Sequence, residues 1–397
     1  MSPLRPVDET IDELLSQVRA TTGTETRRLD QALNCCLAAD IVSPLDVPPA
    51  DNSAMDGYAF SHDEVKADTW LDISDRIPAG RIGNRISEGT VARIFTGAAV
   101  PEGADTVVMQ ENTEADGDRM RILKMPERGS NVRSRGQDIE TGAAVATRGD
   151  LLTSQVLGLI SSVGVADLEV YSPLRVAVMS TGDELVEPGR ATGPGQIYNS
   201  NRYALAGLVH ELGMEVLDLG IIPDTAEATE AALIEASEKS DVILTSGGVS
   251  VGEEDHVKAA VDRLGRIDIW KLAIKPGKPL AFGDVAGVPF FGLPGNPVSA
   301  FVTFVIVARP YLRAMQGLSD VRGRAYEVAS GFEFKSGSRR EYLRVRFARD
   351  ERGGLSLEKF TNQGSGIMTS VVWADALAEV EIDQQVEPGD LLRVYPL

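Results

Sequence analysis

The chain has 397 residues, of which 43% are hydrophobic and 25% charged, with a formal net charge of −20. That length allows two to four domains with buried cores, and the composition is that of a soluble globular protein. The charge argues against nonspecific nucleic-acid binding, which needs Lys and Arg gathered against phosphates.

No apolar run approaches the length of a bilayer span, and acids stand where a signal peptide would begin, so no membrane contact and a cytoplasmic location are expected. Only nine of the 39 basic residues are lysine. An acidic, lysine-poor surface fits either a salt-rich cytoplasm or a GC-rich genome. Cys35 and Cys36 are adjacent and rarely positioned to bridge, so they read as buried thiols on an N-terminal helix. The histidines (His62, His210, His256) lack zinc-ligand spacing, which leaves acid–base chemistry to carboxylates.

Residues 1–45 read as mostly helical, with Ile11, Leu14, Leu15 and Val18 at helical spacing. From 46 to 138 short β-like runs ("AMDGYAF", "TVARIF", "DTVVMQE", "RMRILK") alternate with Gly-rich turns, as in a small β domain. Residues 139–170 return to a turn, a helix starting near Thr153 or Ser154, and a strand. The β domain is therefore read as an insertion into an N-terminal domain made of 1–45 and 139–170.

Residues 171–317 alternate strand and helix. "RVAVMS", "MEVLDLG", "DVILTS" and "RIDIWKLA" are apolar strands; "SNRYALAGLVHELG", with Ser200 as N-cap, "TAEATEAALIEASEKS" and "EDHVKAAVDRLG" are helices. A β-turn-β stretch and a long helix from Pro297 follow. This is a multidomain α/β chain whose central domain is a doubly wound, mostly parallel sheet covered on both faces. Residues 318–397 form a β-rich, barrel-like tail.

Ligands of such sheets bind beyond the carboxyl ends of the strands. Three exits carry unusual loops: "STGDELVEPG", "SGGVSVGEED" and "GLPGNPVSA", the last with Pro294, Gly295 and Asn296. Gly247, Gly248 and Gly252 serve either a tight turn or a backbone cradle for an anion. Glu184 is either a first-turn carboxylate or a ligand, and Asp224 either an N-cap or a ligand. With Asp255 they all fall past strand ends of one sheet. Carboxylates gathered near phosphates suit Mg²⁺. Lys271, Lys275 and Lys278 bring three of the nine lysines into eight residues, a positive patch for an anion on an acidic protein. Asp56, before Gly57, and Thr96, before Gly97, read as turn residues or as polar groups of a site.

In order, "DNSAMDGYA", "IFTGAAVPEGAD", "VRSRGQDIETG", "STGDELVEPG", "GQIYNSNRY", "TSGGVSVGEED", "KPGKPLAFG" and "GLPGNPVSA" resemble the motifs of the molybdopterin molybdenumtransferase family, which includes the gephyrin E-type domain. The resemblance spans nearly the whole chain. It implies a homodimer of four-domain subunits that inserts molybdate, or tungstate, into the dithiolene of adenylylated molybdopterin with Mg²⁺-dependent loss of AMP. It implies an upstream adenylyltransferase as partner. Matching positions imply catalytic roles for Asp56, Asp138 and Asp255, and metal binding by Glu184, Asp224 and Asp255. They imply substrate binding by Thr96, Gly247, Gly248, Ser250, Lys271, Lys275, Lys278, Pro294, Gly295, Asn296, Arg344 and Ser365. His256 and Gln137 depart from the family pattern without removing a ligand. The competing readings are a molybdopterin adenylyltransferase, which would not need the 46–138 domain or the tail, and a non-catalytic scaffold.

Overall fold

The computed structural model describes residues 4–18, 23–248, 256–349 and 353–397. They form two compact units: Met1–Ala38, Arg148–Thr153 and Leu168–Leu397 make the first, Ala39–Thr147 and Ser154–Asp167 the second.

In the first unit the N-terminal helix is short, Val7–Ser16, and buries Ile11 and Leu14. The mostly helical reading of 1–45 therefore fails after residue 16. Thr24–Arg28 is instead a strand paired with Asp167–Tyr171. Tertiary pairing of a Thr- and Arg-containing segment overrides its weak helical tendency. Cys35 and Cys36 are buried, as expected, but lie off any helix. Cys36 bridges Leu151 and Leu37 bridges Val170. Burial pushes the Cys36 thiol up to about 12.

The central sheet has six strands in the order Glu215–Ile222, Arg175–Thr181, Val242–Ser246, Val288–Leu293, Pro279–Val285 and Gly265–Lys271. The first four run parallel and the last two join antiparallel. Side chains alternate across a strand, and the apolar run of Arg175–Thr181 accordingly feeds two cores. Val176 and Val178 pack with Leu205 and Val209 on one face. Ala177 and Met179 pack with Leu233 and Val261 on the other. The unbroken apolar run Val176–Met179 is thus explained by helices on both sides.

Two caps differ from expectation by one residue. Asn199, not Ser200, caps the helix Ser200–Glu211, its side chain accepting from Arg202 N. Thr225, not Asp224, caps Ala226–Lys239. In each pair both residues have capping side chains, and the backbone turn decides which is used.

The long helix from Pro297 holds a π-turn at Phe304–Ala308 between Pro297–Thr303 and Arg309–Met315. At 19 residues it is long and apolar enough to cross a membrane, contrary to the sequence expectation, yet 78% of that stretch is buried. Its apolarity is that of a core helix packed against the sheet.

The tail strands Arg340–Arg349, Leu355–Lys359, Tyr326–Ser330, Leu391–Pro396 and Ala376–Val380 pair in that order, and the last returns to the first, closing a barrel. Leu343, Val345, Leu357, Ala378 and Val394 fill it. The short strand Ile274–Lys275 adds in parallel to Arg340–Arg349, tying the sheet domain to the tail.

The second unit is built on a six-stranded sheet, ordered Thr106–Met109, Gly57–Phe60, Val91–Ile94, Trp70–Ile77, Arg119–Ile122 and Thr113–Asp116. A Cβ on Gly57 would stand 1.9 Å from the Val108 carbonyl oxygen, so the residue after Asp56 must be glycine.

Candidate functional site

Beyond the carboxyl ends of the parallel strands lies a cleft of about 690 Å³, lined entirely by the first unit. The strand exits at Thr181, Ser246 and Leu293 carry the three loops singled out in the sequence. Their residues Glu184, Gly247, Gly248, Pro294, Gly295 and Asn296 all line it.

Gly247 and Gly248 have φ of +87° and +64°. A Cβ on Gly248 would meet Val257 Cγ2 at 2.6 Å and Thr181 Oγ1 at 2.7 Å, so both conformation and space require glycine. Ser250 and Asp255 lie outside the described residues.

The helix Ser200–Glu211 starts at the cleft, with Asn199, Ser200 and Asn201 on its lining. Its free N–H groups and dipole favour an anion there. Asn201 Nδ2 donates to the Gly295 carbonyl at 2.7 Å, fixing one loop to this terminus. Asn199 is buried; its Oδ1 accepts from Arg202 N, while its Nδ2 has no partner among the described residues. A buried amide left so is a donor in want of an acceptor. Sequence reasoning read this helix start as a cap signal and as part of the family motif "GQIYNSNRY" but assigned none of its residues to the site.

The Glu184 loop is braced from behind. Arg202 donates to Glu187 at 2.5 Å and to Asp218 at 2.7 Å, and Tyr203 OH donates to Glu187 at 2.9 Å. Glu184 folds over Gly182, where a Cβ would come within 2.4 Å of its carboxylate.

The lysines separate. Lys275 and Lys278 line the cleft, whereas Lys271 does not. It ends its strand, and its carbonyl accepts from Arg5 N. Between the other two, Gly277 has φ +98°, and a Cβ would meet Thr303 Oγ1 at 2.7 Å. Arg339, not singled out in the sequence, also lines the cleft; its Nη1 donates to the Ile274 carbonyl at 3.0 Å.

Ser365 lines the cleft, and its carbonyl accepts from Val298 N at the start of the core helix. Arg344 does not line it. That side chain is buried in the tail, donating to Ser370 Oγ at 3.2 Å and to the Tyr342 carbonyl at 3.0 Å. Burial holds its guanidinium down to about 10. Its backbone exchanges hydrogen bonds with the side chain of Gln363, a lining residue, so Arg344 supports the Ser365 loop from below.

Asp224 follows the neighbouring strand Glu215–Ile222, exposed and off the cleft lining. Among the described residues no group of three or more His, Cys, Asp or Glu is disposed to hold a metal ion. Glu184 stands in the cleft beside the glycine loop, and one protein carboxylate with substrate oxygens and water is a donor set that suits Mg²⁺.

Asp56, Thr96 and Asp138 belong to the second unit. Asp56 Oδ1 accepts from both the backbone N–H and the Oγ1 of Thr96, each at 2.8 Å. These two bonds, the backbone one foremost, hold its carboxyl below the usual carboxylate range. Asp138 is exposed in a separate groove with Gln137, Ile139, Val145 and Leu159.

The chain matches three family descriptions in sequence: the MoeA N-terminal region (domains I and II) over residues 5–164, a probable molybdopterin binding domain over 177–314, and the MoeA C-terminal region (domain IV) over 327–397. It is 37% identical over 395 residues to a molybdopterin molybdenumtransferase of Haemophilus influenzae, covering 98% of each chain. It is 40% identical over 304 residues to molybdopterin molybdenumtransferase 2 of Mycobacterium tuberculosis, covering 74% of this chain and 75% of that one. The crystal structure of a molybdopterin biosynthesis MoeA protein from Pyrococcus horikoshii matches it with a TM-score of 0.82 at 26% identity, over 100% of both chains.

Proposed function

Because this chain belongs to the molybdopterin molybdenumtransferase family, we propose that it inserts molybdate into the dithiolene of adenylylated molybdopterin and releases AMP. Two sulfurs replace two oxide ligands of the metal, which leave as water once protonated, and water cleaves the phosphoric anhydride. The observation that carries this reading is the mixed charge of one cleft. Lys275, Lys278 and Arg339 share its lining with Glu184, the glycine loop and a helix N-terminus.

Each part has a distinct task. The helix start at Ser200 and the N–H of Gly248 offer backbone donors to phosphate oxygens, while that of Gly247 donates to the Leu293 carbonyl. Lys275, Lys278, Arg339 and Ser365 supply charge and hydrogen bonds to a tetrahedral oxyanion. Glu184 would hold Mg²⁺, and a bound Mg²⁺ supplies charge neutralisation at the leaving phosphate. Asp56, kept ionised by Thr96, is the group to accept a proton or orient water. By resemblance, the acting species is a cytoplasmic homodimer fed by an upstream adenylyltransferase.

Incubation with adenylylated molybdopterin, Mg²⁺ and molybdate, followed by chromatography of AMP, tests this reading. Oxyanion-dependent AMP release is expected. Formation of the adenylylated compound from ATP, with no AMP release from it, would instead assign the adenylyltransferase activity. Parallel runs with tungstate settle which oxyanion is preferred.

A further inference from the structure

Lys275 does not offer its full charge to the cleft. Its ammonium lies 3.1 Å from both carboxylate oxygens of Glu341, a residue only 3% exposed. The two stand directly opposite one another where Ile274–Lys275 pairs with Arg340–Arg349. Glu341 is fixed from its own side as well, since it accepts from Gly337 N at 3.2 Å. Neighbouring bonds leave the pair little room to separate. Arg340 N donates to the Ala273 carbonyl at 2.9 Å, and Arg339 Nη1 donates to that of Ile274 at 3.0 Å. Lys278 and Arg339 line the cleft with no carboxylate within ion-pair distance among the described residues.

We propose that Glu341 sets the oxyanion affinity of the cleft: it is a positioning residue that holds the Lys275 ammonium at the rim while cancelling much of its charge. A dianion approaching Lys275 meets a nearly neutral pair there, and its net attraction comes from Lys278 and Arg339. Glu341 is buried while the Lys275 side chain is 48% exposed, so solvent screens part of the attraction and the cancellation is partial. Binding energy that would hold the free oxyanion too firmly is thereby withheld, and a weakly held anion is the one that can be transferred.

This inference rests on the reading of Lys275 as an oxyanion ligand, so the test separates the two. Molybdate binding is measured by titration calorimetry, with no pterin present, on the full chain. The variants are Glu341→Gln, Lys275→Ala and the double variant, with thermal melting to check folding. Glu341→Gln keeps an acceptor for Gly337 N–H and Lys275 but removes the charge. It should bind molybdate about tenfold tighter, and Lys275→Ala should bind it more weakly. In the double variant the gain should vanish, since the carboxylate acts through the lysine. Weaker binding by Lys275→Ala with unchanged or weaker binding by Glu341→Gln would overturn the Glu341 inference alone. Unchanged binding by Lys275→Ala would remove the lysine site and this inference with it. Should the amide variant melt early, Glu341→Met carries the same expected sign.

Discussion

The cleft of the first unit and the Asp56 turn of the second hold polar chemistry in opposite ways. In the cleft the work is spread over backbone N–H groups, small residues and several cations contributed by loops distant in sequence. At the turn it is concentrated in one carboxylate, held by two bonds from one threonine. A distributed site tolerates loss of a single side chain but not a change of backbone path. A concentrated one has the reverse sensitivity.

The largest expected effect tests the concentrated site. Asp56→Ala should lower AMP release by about 10²–10⁴-fold, the range for loss of a proton-transfer group, with only a small drop in melting temperature from the two lost Thr96 bonds. Asp255→Ala should also be inactive. The family resemblance implies a homodimer whose active site lies where domains of two subunits meet; on that reading, mixtures of the two under subunit exchange should regain activity toward half of wild type per heterodimer. No regain, with exchange verified by native mass measurement, would mean that both residues serve a site in one subunit.

Next comes the distributed site's backbone. Gly248→Ala forces a side chain into φ +64° and against Val257 and Thr181. It should cost about 1–3 kcal/mol of stability and most of the activity, read by thermal melting and AMP release. A fully stable, active variant would show that the loop has another path available.

A smaller effect divides two tail residues that the sequence placed together. Arg344→Ala should destabilise by about 1–2 kcal/mol, as loss of a buried hydrogen-bonded side chain does, and leave the cleft's own residues in place. Ser365→Ala should leave stability within about 0.5 kcal/mol but raise the molybdate concentration for half-maximal rate. Denaturant unfolding and oxyanion titration of the two variants tell these roles apart.

The smallest effect is a shift in pH dependence. Thr96→Val deletes the hydroxyl bond to Asp56 and keeps the backbone one, so the Asp56 pKa should rise partway toward the ordinary carboxylate range. A depressed carboxylate contributes stability above its unfolded pKa and loses it as pH falls through the folded value. The acid limb of kcat/KM should therefore move to higher pH. A limb that stays in place would separate Asp56 ionisation from the rate.

Much of this was legible in the sequence, for stated physical reasons. Strands such as Val242–Ser246 are buried at every position and open on a continuous apolar run because both faces are covered, and that pattern points to a parallel sheet. The loops at strand exits followed from the same reasoning. The strand at Thr24–Arg28 did not, because its partner lies at Asp167–Tyr171 and local pattern carries no record of that pairing. Arg344 came from matching the tail, the least distinctive part of the chain, to the family pattern, and Arg339, five residues earlier, was missed. Only the register opposite Ile274–Lys275 shows which one reaches the cleft. Asn199 was hidden beside Ser200, an equally plausible cap.

The bond from Val298 N to the Ser365 carbonyl also has a consequence in time. The cleft lining runs from Thr181 to Ser365. During synthesis at about 5–20 residues per second, the interval between these two positions is ~10–40 s. In its last part, after Lys278, the nascent chain carries the glycine loop and both cleft lysines, but not the serine that completes the wall. Binding competence is therefore acquired late, only when nearly the whole polypeptide has left the ribosome, and a truncated product would circulate without it.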